Sequence, residues 1–267
     1  MDNEDERTCG KHSQLVVLGG RSEIKEMRLD KFLAHTGYGT RKSVKELIKS
    51  KKVTVNELVV KDAKTHVQPE TDKIHVLGER VTYQKFYYFM LHKPQGVISA
   101  TEDNLHKTVV ELLKPEDRLS HPFPVGRLDK DTEGLLVLTN DGVLAHDLLS
   151  PKKEVDKCYE AIIEGLIGEK EIKAFEKSIT LEDGFSCRPA KLTVLSTDLV
   201  AQTAKIQVII HEGKFHQVKR MFEAVDRKVQ YLKRLSMGPL ELDNSLKLGH
   251  YRALTADELA QLKEFTK

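Results

Sequence analysis

The chain has 267 residues, 39% hydrophobic and 31% charged, with 16 Gly and 8 Pro. That balance excludes a collagen-like, low-complexity or broadly disordered chain and suits one large or two unequal domains. No run approaches the ~18 consecutive apolar residues of a membrane helix, and the three cysteines, Cys9, Cys158 and Cys187, are too widely spaced for a disulfide framework or a CxxC zinc ribbon, which fits a reducing cytoplasm.

Residues 1–26 open acidic, and their one apolar run, Leu15 to Leu18, is far short of a secretory core. They read as a disordered extension or a misassigned start, with a small structured element as the rival; Met27 is itself a plausible start codon. The net charge of +2 conceals an asymmetry, because residues 27–85 alone carry 13 basic and 7 acidic groups. A basic module attached to a nearly neutral body is the electrostatic footprint of a polyanion partner.

Within that module Leu29, Phe32 and Leu33 lie at i, i+3 and i+4, giving a short amphipathic helix that stops at Gly37. Thr40 is placed to cap a second helix whose inward stripe is Val44, Leu47 and Ile48. Its other faces carry Arg41, Lys42, Lys45 and Lys49. Short strands follow at Val53 to Val55, Leu58 to Val60 and near Ile74 to Leu77. The lysine-rich face reads either as plain solvated surface or as phosphate contact with released counterions. In this order the features resemble the S4 RNA-binding domain, carried by the stretch RLDKFLAHTGYGTRKSVKELIKSKKVTVNELVV. The resemblance implies RNA binding, with Arg41, Lys42 and Lys45 facing the nucleic acid, and leaves the chemistry to the rest of the chain.

A junction at about 79–86 leads into a strand-rich body, 86–267. Strands are expected at Tyr87 to Leu91, Leu135 to Thr139, Tyr159 to Ile163, Leu192 to Leu195 and Ala204 to Ile210. Helical patterns lie around Val109 to Leu113, Leu144 to Leu149, Glu169 to Lys177 and Gln217 to Ala224. Irregular interleaving argues for an α+β fold with a mostly antiparallel mixed sheet. Val137, Leu138, Ile162 and Val208 are expected in its core. No glycine-rich phosphate loop follows a strand, which argues against a nucleotide-dependent enzyme.

Two metal motifs are approached and not completed. The segment Asp129 to Gly134 mimics the start of a calcium loop, but its twelfth position is Asn140 and LLVLT reads as strand. His211-Glu212 mimics a zinc-protease helix, but i+4 is Phe215 and Gly213 breaks the helix.

Four polar segments remain, each beside an expected strand: LHKPQGVIS, GRLDKDTEGLLVLTNDG, DKCYEA and IHEGKFHQVKRM. Singly, each has a structural explanation. Together with the later LGHYRALT they resemble the RsuA family of ribosomal RNA pseudouridine synthases, over about residues 27–262. That resemblance implies isomerisation of uridine to pseudouridine, breaking the bond from C1′ to N1 and rejoining the base through C5. Such a reaction needs no metal, nucleotide or redox cofactor. It places Asp129 at the catalytic position, as nucleophile on C1′ or base toward C2′, two roles the sequence leaves open. Lys219 stands at the basic position that pairs with this aspartate, and Tyr159 at the active-site tyrosine. Arg127 is placed to fill the stack or touch phosphate when the uridine is flipped out. Gly126 and Gly134 are expected to allow close backbone approach, Asp131 and Thr132 to brace the loop through side chain to backbone bonds, and Lys93, His216 and Gln217 either to contact RNA or to serve geometry. The stretch LLSPKKEVDKCYEAIIEG resembles small-subunit members more than large-subunit ones. Its implied substrate is therefore 16S RNA, free or in the assembling small ribosomal subunit, modified by a cytoplasmic monomer with no membrane contact. A 23S enzyme of the same family and a silent RNA-binding assembly protein are the alternatives.

Overall fold

The structure is a computed structural model that describes residues 26–267. The reading of residues 1–26 as an extension, and Cys9, lie outside the described residues but for Glu26. Among the described residues no helix is long and apolar enough to cross a membrane.

The small N-terminal unit begins with β1 (Met27–Arg28), α1 (Leu29–His35) and α2 (Arg41–Lys49). Leu29, Phe32 and Leu33 are all buried, and the chain leaves α1 through Gly37 at φ +90°. Thr40 caps α2, its hydroxyl accepting from Ser43 N at 3.3 Å. Val44 and Ile48 enter the core with Leu47 partly buried, while Arg41, Lys42 and Lys45 are exposed. β2 (Val53–Val55) and β3 (Leu58–Val59) form a hairpin whose turn residues, Asn56 and Glu57, both take positive φ. After β4 (His66–Val67), which pairs β1, come β5 (Ile74–Val76) and β6 (Glu79–Arg80), giving a sheet of order β3-β2-β5-β6.

The body is built on one nine-stranded sheet. Its main path uses β7 (Tyr88–Lys93), β9 (Glu133–Thr139), β10 (Lys157–Glu164), β11 (Lys191–Asp198), β12 (Thr203–Ile210), β13 (Lys228–Met237) and β15 (Tyr251–Ala253) in the order β11-β12-β10-β13-β9-β7-β15. β8 (Phe123–Pro124) and β14 (Leu240–Glu241) pair at the sides of β9 and β13. The β13–β9 pairing is parallel and the others are antiparallel, so the α+β expectation with a mostly antiparallel mixed sheet holds.

Helices lie on both faces of the sheet, covering β9 on each side. α5 (Glu169–Lys177) and α6 (Gln217–Glu223) contribute Phe175, Val218, Met221 and Phe222 to one core; α4 (Gly142–Leu149) and α7 (Ala256–Phe265) contribute Leu144, Leu148 and Leu262 to the other. β9 lies between them. Leu136 and Leu138 enter the first core, Leu135 and Val137 the second, as side-chain alternation on a strand covered on both faces requires. Val137, Leu138 and Val208 are thus core, as expected. Ile162 is not, being 37% exposed. On β10 the odd positions Tyr159, Ala161 and Ile163 point inward, so Ile162 shares the opposite, open face with Glu160 and Glu164.

The helix expected around Val109 to Leu113 is a single 3-10 turn, Val110–Leu112. Pro115 opens α3 (Pro115–Arg118), and the residue before it, Lys114, is extended at ψ 152°, which separates the two short helices.

Candidate active site

The loop carrying Asp129 runs from β8 to β9, and glycines hold both of its ends. Gly126 sits at φ +76° and Gly134 at φ +109°. At Gly134 any Cβ would collide with the main-chain oxygen of Arg234 on β13, so this position tolerates no side chain.

Between those ends the loop is tied down by a cation. Lys93, the last residue of β7, has no exposed surface, and its Nζ donates to the main-chain oxygens of Pro94, Asp129 and Thr132 at 3.0, 2.9 and 2.9 Å. Burial pushes the Lys93 ammonium down to about 8, opposed by the negative charges of Asp129, Asp131 and Glu133. It stays protonated at neutral pH and can keep all three bonds. Ser99 adds a second tie, donating to Leu128 O at 2.8 Å and accepting from Leu128 N at 3.0 Å. Asp129 is therefore fixed from both sides of its own backbone.

These ties revise one expectation and decide another. Asp131 and Thr132 do not brace the loop: Asp131 turns outward to Lys219, and the buried Thr132 hydroxyl has no partner among the described residues. Lys93 is enclosed and cannot touch RNA. Of its two companions, Gln217 is buried, donating to Glu212 at 2.8 Å and accepting from Lys214 N at 2.9 Å, so it shapes the turn into α6. His216 and Gln217 both line the cleft, His216 as the partly exposed one.

The Asp129 carboxylate is half-buried between two basic groups. His216 Nε2 lies 3.6 Å from Oδ1, and Lys219 Nζ lies 3.6 Å from Oδ2. Unit charges at roughly this separation near a protein surface attract by about 4 kcal/mol before further screening. Lys219 thus acts on Asp129 without touching it. Its short bonds, 2.6 and 2.8 Å, go to both oxygens of Asp131. Partial burial pushes the Asp131 carboxyl up, but the bonded Lys219 outweighs it and leaves that carboxyl below its usual value. His216 owes its place to a left-handed backbone at φ +51° just before α6, and its ring stacks on the exposed Phe215 at 3.7 Å between centroids.

Asp129, Tyr159 and Lys219 line one cleft of about 630 Å³. Tyr159 reaches it from β10, 7% exposed. Arg127 lines the same cleft as an exposed side chain next to Asp129. Arg41, Lys42 and Lys45 stand apart from it, on the exposed face of α2. The site also uses residues that no motif singled out. Ser99 and Lys157 lay inside quoted segments with nothing to mark them, and Arg234 lay outside all of them; Lys157 and Arg234 line the cleft from β10 and β13. A buried cation in a strand gives no local pattern beyond an interruption of hydrophobic alternation.

Comparison with known proteins gives the family. Residues 87–224 match the RNA pseudouridylate synthase family and residues 27–73 the S4 domain. The chain is 51% identical to an uncharacterized RNA pseudouridine synthase of Bacillus subtilis, over 89% of this chain and 99% of that protein. It is 43% identical to the ribosomal large subunit pseudouridine synthase B of the same organism (88% and 95% covered). The ribosomal small subunit pseudouridine synthase A of Vibrio vulnificus is 38% identical (87% and 98% covered). A crystal structure of a pseudouridylate synthase superposes with a TM-score of 0.61 at 34% identity, covering 88% of this chain and 99% of the other. The chain belongs to the RsuA-type family of RNA pseudouridine synthases and carries an N-terminal S4 domain.

Proposed function

We propose that this pseudouridine synthase acts as a cytoplasmic monomer on ribosomal RNA and converts a uridine of the 16S RNA. The observation that carries the catalytic part is the Asp129 carboxylate, fixed by Lys93 through its own main chain and flanked by Lys219 and His216 at 3.6 Å on the wall of a closed-in cleft. Asp129 attacks C1′ or takes the proton from C2′, and either task requires the carboxylate. Lys219 holds a positive charge 3.6 Å from its Oδ2. Tyr159 offers its ring to the uracil, and its hydroxyl assists the final loss of the proton from C5. Arg127 takes the place left in the stack by the extruded nucleotide. Arg41, Lys42 and Lys45 supply affinity through phosphates.

A second reading is favoured by one comparison: identity to the large-subunit enzyme of Bacillus subtilis is 43%, against 38% for the small-subunit enzyme of Vibrio vulnificus. For the 16S RNA stands the likeness of the stretch after the catalytic strand to small-subunit members. Mapping pseudouridines in cellular ribosomal RNA with and without the gene decides between them. Loss of a 16S site is the expected result, and loss of a 23S site alone replaces it with the second reading.

A further inference from the structure

Arg234 on β13 sits between two parts of the active site: its Cα partners are Tyr159 on β10 and Gly134 on β9. The residue is 2% exposed and lines the cleft. Nε donates to Leu135 O at 2.8 Å, while Nη2 is enclosed with no hydrogen-bond partner among the described residues. Lys157, 8% exposed, lines the same cleft, and its Nζ donates to Val155 O at 2.9 Å. Burial pushes the Lys157 ammonium down to about 8 and the Arg234 charge adds to that, against a weaker pull from Asp156 and Glu212. Those two acids are engaged elsewhere, Asp156 with His211 at 2.6 Å and Glu212 with Gln217 at 2.8 Å.

Two cations are thus enclosed beside each other, and among the described residues no carboxylate is bonded to either. Enclosing charge without a partner is costly, and a purely structural arginine would have its N–H groups satisfied. What completes the pair is an acceptor or a negative charge entering the cleft. When a nucleotide is extruded, its phosphates stay at the mouth with the strand and its base goes inward, so the base is the group that meets them. Guanidinium and ammonium groups only donate. Uracil answers with two carbonyl oxygens, whereas cytosine presents an amino group at position 4. When the C1′–N1 bond breaks, its electron pair goes to N1 and spreads onto those carbonyl oxygens. The pair returns when C5 bonds to C1′; C5 then gives up its proton and N1 takes one up, so the isomerisation balances. No oxidant or reductant enters.

We propose that Arg234, backed by Lys157, holds a carbonyl oxygen of the extruded uracil and stabilises the negative charge the base carries while it is detached. This rests on the reading of the cleft as the uridine site. The test is single-turnover consumption of the target nucleotide at saturating ribosomal RNA, transcribed with uridine or with 5-fluorouridine, whose base leaves more readily as an anion. Arg234→Gln is expected to slow the reaction on uridine by about 100-fold, the scale of losing one preorganised donor, with RNA affinity unchanged. Arg234→Lys recovers much of the rate. On 5-fluorouridine the deficit of Arg234→Gln shrinks at least tenfold, which a merely structural role does not produce. Where Arg234→Gln fails to fold, Lys157→Met gives the same pattern at smaller amplitude. Equal deficits on the two substrates, a loss confined to affinity, or variants as fast as the parent overturn the inference. A parent that consumes no uridine in either ribosomal RNA overturns the substrate reading, and this inference with it.

Discussion

Lys219 is bonded to Asp131 through both carboxylate oxygens, at 2.6 and 2.8 Å, although Asp131 is the more exposed of the two acids it serves. The cation is therefore shared, and Asp131 both anchors it beside Asp129 and draws charge away from it. Lys219→Met should lower turnover across neutral pH, and Lys219→Arg should retain much of it, because a second cation on this helix face still reaches both carboxylates. Asp131→Asn should leave turnover at or above that of the parent. Single-turnover rates between pH 6 and 8 check all three. A Met variant equal to the parent counts against any action of Lys219 on Asp129.

The same pair sets a pH dependence. The folded Asp131 carboxyl lies below its ordinary 3.8, so the unfolded chain takes up this proton first as pH falls. The stabilisation is full at neutral pH, begins to fade near the ordinary carboxylate value and is gone below the folded one. Asp131 is 66% exposed, so solvent screening keeps the contribution to about 1 kcal/mol or less. Parent and Asp131→Asn should differ slightly in urea midpoint at pH 7, and the gap should shrink as pH falls below 3.8. A gap that persists unchanged at pH 3 argues that the difference is not electrostatic.

Asp129→Asn keeps the shape of the side chain and removes the carboxylate. Its main-chain oxygen still accepts from Lys93, so folding and RNA affinity should stay near those of the parent while pseudouridine formation disappears. A purified variant that works within tenfold of the parent overturns the assignment.

Lys93→Met replaces the cation with a side chain of similar length and strands three enclosed carbonyl oxygens. Bonds to a charged donor are each worth about 1.5–3 kcal/mol, so a loss of several kcal/mol in chemical denaturation is expected. Turnover should fall as well, because Asp129 loses its anchor. A variant as stable as the parent means that the loop holds itself.

Much of this architecture is visible in local pattern and some is not. The helix expected at Glu169 to Lys177 is α5 to the residue, since its apolar spacing and charged faces are unambiguous. β13 gave no such signal. Lys228, Lys233 and Arg234 break its hydrophobic alternation, and its place between β10 and β9 is decided by pairing far along the chain. Ile162 has the β-branched character of a core residue, but which face of β10 is covered is a tertiary fact. Asp129, Tyr159 and Lys219 were legible through motif order. The work of Lys93 was not, because a buried lysine and a surface lysine look alike in a sequence.

Gly134→Ala tests the close approach of β9 to β13. The added Cβ meets Arg234 backbone, which cannot move aside as a flexible side chain would, and φ +109° is strained for any L side chain. The strain alone is worth about 1–3 kcal/mol. Thermal unfolding should show a marked loss, whereas Gly96→Ala, with open space around its Cβ, should lose only the part due to its own positive φ. Equal, small losses at both positions rule out a contact-limited approach.

The basic face of α2 offers the remaining test, of how the small domain contributes to binding. Arg41, Lys42 and Lys45 are exposed, whereas Val44 and Ile48 enter the core, so replacing the three with Ala leaves the domain core intact. If each contacts phosphate, the slope of log affinity against log salt should fall by about 2 to 3, at 0.7 to 0.9 per lost contact. Affinity at low salt should weaken, and the single-turnover rate at saturating RNA should not change, because none of the three lines the cleft. Affinity measured against salt for parent and triple variant, beside the saturating rate, separates the outcomes. An unchanged slope makes this face ordinary solvated surface. A reduced slope accompanied by a slower saturating rate means that α2 also positions the RNA for the chemical step.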